Sequence, residues 1–409
     1  MDKRIVITGI GVIASNGIGK QSFWDALKTG LVGYKPITLF DSSLFLAKIA
    51  GEASDFDPKE ILGQKGLRTF DRSTCLLIAA AQLALEDCGY TITDENSNDV
   101  GVVAGTTLGS IKSITDFDVV TLKEGPRNTN PALFSNTVIN SPASQVSIWH
   151  HIKGFNTTIS TGFTASLDAI EYASNFLEWD RAKVVLAGGV EELCPQTYYG
   201  FHALQFLSGS KPGSEFINCP FDKRRNGITF GEGACIMILE DYDHAKERGA
   251  VILAEILSYE SNFDPYRINK YNPKATGLIE VMKGALNKAG LTPKDIDYIC
   301  ANANSSKEAD RAETKAIEEV MGSYAKKVPV SSIKSMIGEC FSVSGAMAVA
   351  AACGAMQEGF IPPNVHYKDK DPDCDLNIVG KMVKRDVNTV LISNFGPNGS
   401  NSCMILRKV

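Results

Sequence analysis

One segment of the sequence has the form that suits a reactive nucleophile, the stretch Thr157–Ile170 (TTISTGFTASLDAI). Its β-branched run Thr157–Thr161 predicts a strand that turns sharply into an amphipathic helix beginning at Thr164. A helix N-terminus favours an anion through its free N–H groups and its dipole, and it lowers the pKa of a cysteine placed there. The residue at the apex of this turn is Phe163, which can neither attack a carbonyl carbon nor carry an acyl group.

Other side chains could replace a missing nucleophile, and each needs a partner that the motifs do not supply. A hydroxyl group needs a positioned base. The candidates are Ser160, Thr161, Ser166 and Cys340. The histidines are His150, His151, His202, His244 and His366. None of these histidines falls beside a candidate nucleophile in the sequence, and Cys340 is more simply interpreted as a small residue packed in a turn.

Composition limits the classes of partner and the compartment. The chain has 409 residues, 44% of them hydrophobic and 22% charged, and a formal charge of −6. This acidic balance disfavours nucleic acid as a partner, because binding phosphates requires a basic surface. The apolar runs are too short to cross a membrane. The ten cysteines are scattered without metal-ligand spacing, so we expect no metal site, free buried thiols and a cytoplasmic protein.

Strands and helices alternate along both halves of the sequence, which predicts an α/β fold with largely buried sheets. Two helices, beginning near Thr164 and Ser344, are rich in small residues and each follows a strand. This weak internal repeat predicts that the two helices pack together in a middle layer between two sheets. Residues 121–145 and 193–233 are expected to be mostly irregular.

Several ordered blocks resemble the β-ketoacyl-[acyl carrier protein] synthases and the type II polyketide ketosynthases. The most specific is Pro220–Ala234 (PFDKRRNGITFGEGA), which is similar to the PFDxxRDGFxxGEGA block of that family, with Asn226 in place of the usual aspartate. The other blocks that match are Arg4–Val12, Phe70–Arg72, Ala187–Glu191, Lys334–Gly338 and Phe395–Asn401. The resemblance covers nearly the whole chain.

The resemblance implies a thiolase-like α/β fold, in which duplicated βαβ halves form five layers in the order α-β-α-β-α. The expected division is an N-terminal half over residues 1–250, with insertions that shape the dimer interface and tunnel, and a C-terminal half over residues 251–409. The family implies no cofactor.

Active members of this family use a cysteine and two histidines, and all three positions differ here. Alignment on the neighbouring motifs puts Phe163 at the cysteine and Asn304 and Glu339 at the histidines. Asparagine cannot become cationic, and a carboxylate would repel the developing enolate. The loss of one stabilising group typically costs ~10²–10³-fold in rate, so the three changes together exclude the standard mechanism. No catalytic residues are therefore expected, and Glu339 is predicted to pair with Lys334 or with another cation.

A preserved fold with a lost triad resembles the chain-length factors of type II polyketide systems, whose usual residue at the cysteine position is glutamine. The resemblance implies a heterodimer with an active ketosynthase, whose acyl tunnel this chain would help to wall. It also implies an acyl carrier protein with a phosphopantetheine-bound polyketide, docked mainly on the partner. The residues expected to line the tunnel or interface are Leu108, Ile111, Ile114, Phe134 and Phe163.

Two alternatives stay open from the sequence. The stripe Leu108, Ile111 and Ile114 has helical spacing and could simply be core. The chain could also be an independent acyltransferase or decarboxylase with a site rebuilt around Asn304, Glu339 and Cys340. A purely structural scaffold is a third and more distant possibility. The sequence identifies neither the polyketide product nor its length.

Overall fold

The computed structural model of the protein describes residues 3–409 and alternates strands with helices throughout. The strands are β1 (Ile5–Ala14), β2 (Gly17–Ile18), β3 (Lys35–Pro36), β4 (Ile49–Ala50), β5 (Val100–Gly105), β6 (Asn156–Ile159), β7 (Val184–Glu191), β8 (Gly233–Asp241), β9 (Ala254–Phe263), β10 (Tyr298–Cys300), β11 (Val330–Ser331), β12 (Phe360–Ile361), β13 (Val383–Lys384), β14 (Thr389–Phe395) and β15 (Ser400–Arg407). The helices are α1 (Lys20–Thr29), α2 (Pro58–Leu62), α3 (Arg72–Cys88), α4 (Ile111–Glu124), α5 (Ser141–Trp149), α6 (Ala165–Glu178), α7 (Pro195–Ala203), α8 (Tyr242–Glu247), α9 (Thr276–Ala289), α10 (Lys307–Met321), α11 (Lys334–Ile337) and α12 (Ser344–Glu358).

Each half of the chain builds the same five-stranded pattern. In the first half the order is β1-β8-β7-β5-β6, and in the second it is β9-β15-β14-β10-β11. In both, the first three strands run antiparallel to their neighbours and the last two extend the sheet in parallel. The internal repeat predicted from the sequence is therefore a repeat of the whole βαβ arrangement.

The two five-stranded halves are joined at one edge. Strands β1 and β9 pair antiparallel over a short stretch that opposes Ile5 to Ile256 and Ile7 to Ala254. The prediction of two sheets is correct in that each half forms its own five-stranded arrangement. Hydrogen bonding nevertheless links them into one continuous sheet, because β1 and β9 are corresponding first strands that meet along their free edges.

Helices α6 and α12 form the middle layer, as the repeat predicted. Helix α6 packs on β5 and β7, α12 packs on β14 and β8, and the two helices contact each other. The Ser166 hydroxyl accepts a hydrogen bond from the Ala346 amide (2.9 Å), which links the two N-termini. A Cβ atom at Gly345 would lie 2.6 Å from Leu167 Cγ, so close approach of the helices requires glycine there. Helices α3 with α5 and α9 with α10 cover the outer faces.

Three helices fall at or within the segments that were expected to be irregular. Residues 121–145 include the end of α4 and most of α5, and residues 193–233 include α7, so the expectation of irregular segments was wrong there. Helix α4 is difficult to predict because none of its residues is buried within the chain, so its sequence carries no continuous core face.

The ten cysteines are all free, and nine of them are buried, which agrees with the prediction of buried thiols. Across the described residues, no helix combines the length and the apolar character that a bilayer crossing would need.

Candidate functional site

The turn predicted from the sequence lies between β6 and α6 and is fixed by the C-terminal loop. Gly162 has φ of +80°, and a Cβ atom there would lie 2.4 Å from Asn398 Nδ2. The Asn394 side chain donates a hydrogen bond to the carbonyl oxygen of Phe163 (3.0 Å). Residues from both halves thus position Phe163 two residues before the start of α6 at Ala165.

The Phe163 ring is buried in a cluster of aromatic side chains. It packs edge-to-face on Phe341, with ring centroids 5.2 Å apart. Phe341 in turn lies 4.7 Å from the ring of Phe201 and 4.6 Å from that of Phe230. The turn at which the sequence pattern suits a nucleophile is therefore occupied by packed aromatic rings.

Glu339 lies next to this cluster and is 1% exposed. One of its oxygens, Oε2, accepts hydrogen bonds from Asn304 Nδ2 and Lys334 Nζ, both at 2.8 Å. The other, Oε1, accepts from the Phe341 amide (3.0 Å) and the Ser344 hydroxyl (2.8 Å). Each oxygen thus has two donors, which is what a buried carboxylate needs to remain charged. The predicted pairing of Lys334 with Glu339 is confirmed.

Asn304 is also hydrogen-bonded to its neighbours through both its side chain and its backbone. Its side-chain oxygen accepts from the Ser306 amide (3.2 Å) and its backbone amide donates to Asp310 (3.0 Å). Lys334 also donates to the Asn302 side chain (2.6 Å). The structure therefore brings together Asn304 and Glu339 directly, and it joins them to Phe163 through Phe341.

The side chains that could replace the nucleophile are unsuited to the task. Cys340 is fully buried, and burial raises the pKa of its thiol well above the ordinary value. The hydroxyl of Ser166 is bonded to the backbone of α12, and that of Thr161 donates to Asp168. Ser160 is exposed at the end of β6.

The five histidines all lie elsewhere in the described chain. Burial lowers the pKa of His150 to about 4, and its Nε2 atom has no hydrogen-bond partner among the described residues. The other contacts are His202 with Leu46, His244 with Glu240 and His366 with Tyr34. His151 lies beside His150 and is exposed. The described residues contain no group of His, Cys, Asp and Glu side chains arranged to hold a metal ion.

An open cavity of about 370 Å³ leads to Phe163 from the surface. The ring of Phe163 is part of its wall, together with those of Phe201 and Tyr271, and Lys270 and Pro397 also line it. The sequence reasoning had not singled out Phe201, Tyr271 or Phe341. Of the three, only Phe341 lies close to a matched block, three residues after Gly338, so their convergence depends on the tertiary fold.

The residues predicted for the tunnel or interface lie on and beside α4. Leu108 and Ile111 are partly exposed, Ile114 is 37% exposed and Phe134 is 60% exposed. The ring of Phe134 contacts that of Phe117 on α4, at 5.9 Å between centroids. The alternative interpretation, that this stripe is core, is wrong for this chain because α4 has no buried residue.

A buried carboxylate that the sequence reasoning missed ties this region to the altered triad. Glu191 accepts from the amides of Thr107 (3.0 Å) and Leu108 (3.2 Å) and from the Ser342 hydroxyl (2.7 Å). Ser342 follows the Glu339 turn by three residues. The signal for Glu191 was its place at the end of the matched block Ala187–Glu191, where a charged residue closes an otherwise apolar strand.

The duplicated halves, with two strand-to-helix turns meeting at α6 and α12, define a thiolase-like fold of the ketosynthase type. The family description "Beta-ketoacyl synthase, N-terminal domain" matches residues 2–245, and "Beta-ketoacyl synthase, C-terminal domain" matches residues 253–368. The chain belongs to the β-ketoacyl synthase family.

Its relatives include 3-oxoacyl-[acyl-carrier-protein] synthases and polyketide ketoacyl synthases. It is 35% identical to the 3-oxoacyl-[acyl-carrier-protein] synthase 2 of Coxiella burnetii, over 100% of this chain and 99% of that protein. It is 34% identical to the tetracenomycin polyketide synthase ketoacyl synthase alpha subunit of Streptomyces glaucescens, over 100% and 97% of the two chains. The solved ishigamide ketosynthase/chain length factor matches with a TM-score of 0.91 and 29% identity over the full length of both chains.

Proposed function

We propose that this chain is the non-catalytic, chain-length-determining subunit of a polyketide ketosynthase heterodimer. One observation carries the proposal: Glu339 is buried, and each of its two side-chain oxygens accepts two hydrogen bonds. Asn304 and Lys334 are two of the four donors. A group held this way stabilises the fold and is not available to bind a malonyl carboxylate or a thioester oxygen.

The electrostatics of the altered triad support the same conclusion. Decarboxylative condensation needs donors or cations where negative charge develops. The charge placed here by Glu339 is negative, and Lys334 is already neutralised by it. Phe163 removes the acyl acceptor. Chemistry would therefore take place in the partner subunit.

The exposed apolar surface of α4 supports the proposal that another protein, with an apolar surface of its own, binds here. In the single chain, a row of large apolar side chains along and beside this helix is exposed to solvent. They are Ile114, Val119, Leu122, Leu133, Phe134, Val138 and Ile139. An apolar patch of this extent on a soluble protein usually marks a protein interface.

A free sheet edge lies on the same half of the molecule. Among the described strands β6 pairs only with β5, so its other edge is unpaired. The opposite end of the sheet is different, because residues 377–379 cover β11: the Val330 amide donates to the Asn377 carbonyl and the Val379 amide donates to the Val330 carbonyl, both at 3.0 Å. An exposed edge strand is a site for pairing with another chain.

In this arrangement Leu108, Ile111, Ile114 and Phe134 would wall the partner's acyl tunnel and set its depth. Overfilling a packed apolar cavity costs about 1–3 kcal/mol, which is enough to stop one extension relative to the next. The acyl carrier protein would dock mainly on the active partner. No observation favours the alternative of an independent acyltransferase or decarboxylase, since Cys340 is buried and Glu339 is fully bonded.

The experiment that tests the proposal is co-expression with an intact Cys-His-His ketosynthase encoded beside this chain. We expect a 1:1 complex that extends malonyl groups on the carrier protein, and no extension by this chain alone. Substituting Leu108 or Phe134 by Trp should shorten the product, and the matched change Val251→Trp, at a residue in the second half that is 71% exposed, should not.

Two outcomes would contradict the proposal. One is a stable homodimer of this chain that does not exchange with the ketosynthase. The other is a product of unchanged length from every substituted complex that still turns over.

A further inference from the structure

Helix α4 belongs to a segment, residues 111–135, in which no residue is buried within the chain. The segment begins after Ser110, which is 1% exposed and shares a hydrogen bond with the Ser73 hydroxyl (3.1 Å). It ends before Asn136, which is 4% exposed and donates to the Thr69 carbonyl oxygen (2.6 Å). We call residues 111–135 the strap, because the segment is fixed by a buried residue at each end and buries none between them.

The strap lies over a cavity of about 440 Å³ instead of a packed core. Ser113, Phe117 and Val120, spaced three and four apart on one side of α4, line the cavity from the strap. Phe70 and Leu193 line it from the rest of the chain. A cavity supplies fewer atomic contacts than a packed core does, so the inner side of α4 is weakly stabilised by the rest of the chain.

Two hydrogen bonds join the first turn of α4 to the rest of the chain. The Ser113 hydroxyl donates to Asp71 (2.9 Å), and the Lys112 amide donates to the Glu192 carboxyl group. Beyond this turn, within the part of the chain that the structure describes, the side-chain hydrogen bonds of residues 116–135 run to other residues of the strap. The strap is thus held at its two ends and at the first turn of α4.

Helix α9 shows how a helix of the same length is normally anchored in this fold. Both helices have 14 residues, and α9 buries six of them. These are Gly277, Leu278, Val281, Met282, Ala285 and Leu286. A helix of this length is only marginally stable in water without tertiary packing, and segments with few buried contacts open at the lowest free-energy cost. We therefore expect α4 to detach while α9 stays folded.

We propose that the strap opens and closes independently of the rest of the chain in the single subunit, and that the ketosynthase holds it closed by covering its exposed apolar row. The identity of the partner rests on the proposed function. The inference adds that Ile111, Ile114 and Phe134, which lie on the strap, take up fixed tunnel positions only on assembly. Control of chain length is then a property of the assembled pair.

Hydrogen exchange followed by mass spectrometry tests both steps, with rates corrected for local sequence. In the isolated full chain, amides of α4 should exchange at least ~100-fold faster than amides of α9. In the co-purified 1:1 complex, exchange of α4 should slow at least ~10-fold, because the partner binds the closed strap, and exchange of α9 should stay the same.

Ser113→Ala tests the bond that closes the strap. Losing one net hydrogen bond to Asp71 should speed exchange of α4 in the isolated chain about 3- to 10-fold. Thr115→Ala is the matched control, because the Thr115 hydroxyl bonds the Ile111 carbonyl oxygen inside the same helix (2.9 Å). Both changes bring the same helix propensity of alanine, so the difference between the two variants measures the closing bond.

Val120→Leu tests the cavity beneath the strap. The added CH₂ group enters the cavity and should slow exchange of α4 in the isolated chain about fourfold. Val119→Leu adds the same group at a residue that is 39% exposed, and it should leave exchange of α4 unchanged.

The results separate the strap from the pairing function. Equal protection of α4 and α9 in the isolated chain overturns the strap, as does equal behaviour of the Ser113 and Thr115 variants. A complex that forms without slowing the exchange of α4 overturns the closing step and leaves the pairing function intact. Failure to form any complex overturns the closing step together with the pairing function.

Discussion

The side chain of Asn304 donates a hydrogen bond to Glu339 Oε2 over 2.8 Å, so the two residues that the sequence resemblance aligns with the family's histidines are bonded to each other. Both residues follow neighbouring parallel strands, β10 and β11. Lys334 completes the group by donating to the same oxygen. The replaced residues form one network with a structural role, and this makes the effect of changing any one of them predictable.

Removing the cation from this network should destabilise the protein strongly. Lys334→Met leaves the Glu339 carboxylate buried without a counter-ion, and breaking a buried pair in this way costs about 3–5 kcal/mol. The free energy of unfolding from urea titration measures the effect. Lys283→Met removes an exposed pair with Glu319 (3.5 Å) and serves as the control, with an expected change below about 1 kcal/mol.

The double variant Lys334→Met, Glu339→Gln tests whether the two charges act together. Removing both should cost less than the sum of the single changes, because neither partner is then left charged and unpaired. Strictly additive costs would show that the pair does not act as a unit.

Phe163→Cys should place a cysteine at the expected nucleophile position without producing activity. The substitution removes a ring packed on Phe341, and losses of this kind cost up to about 3–5 kcal/mol in buried aromatic sites. The variant would still carry Asn304 and Glu339 instead of histidines, so the new thiol would lack a base. We expect lower stability and no turnover of malonyl thioester by the isolated chain, measured as carbon dioxide release. Phe263→Cys, at a ring that is 64% exposed, should leave stability nearly unchanged.

The stability of the protein should fall in mildly acidic solution partly because of His150. Burial lowers its pKa from 6.5 to about 4, so the unfolded chain takes up this proton at a higher pH than the folded chain. The stability that the neutral, buried His150 contributes is fully present above pH 6.5, decreases as the pH falls, and is absent below pH 4. A shift of this size corresponds to as much as ~3 kcal/mol.

His150→Gln should flatten the pH dependence of the urea midpoint between pH 6.5 and pH 4, while His151→Gln, at the exposed neighbour, should not. An unchanged slope in the His150 variant would show that this group keeps its ordinary pKa in the folded state.

The parts of this fold that bury a continuous apolar face were predictable from sequence. The small-residue helices α6 and α12 begin within one residue of Thr164 and Ser344, where predicted, because each buries a continuous set of small and apolar residues in the core. Helix α4 escaped prediction because its apolar residues are uncovered in the single chain.

The site was predictable one residue at a time, but its connections were not. The expectation of a lost triad rests on Phe163, Asn304 and Glu339 alone, each taken from its own sequence block. The bond between Asn304 and Glu339 depends on the order of β10 and β11 in the sheet, and the contact of Phe163 with Phe341 depends on the approach of α6 and α12. Local sequence carries neither relationship.

The exposed apolar side of α4 gives the last prediction. Ile114→Asp places a charge among Leu122, Phe134 and their neighbours, and burying that charge in an interface without a partner would be costly. We expect the dissociation constant for the ketosynthase partner to rise at least tenfold, measured by sedimentation of mixed proteins, with the free energy of unfolding of the isolated chain unchanged. Val251→Asp, at an exposed residue of the second half, is the matched control. Equal dissociation constants for the two variants would place the interface elsewhere and would remove α4 from any role in shaping the tunnel.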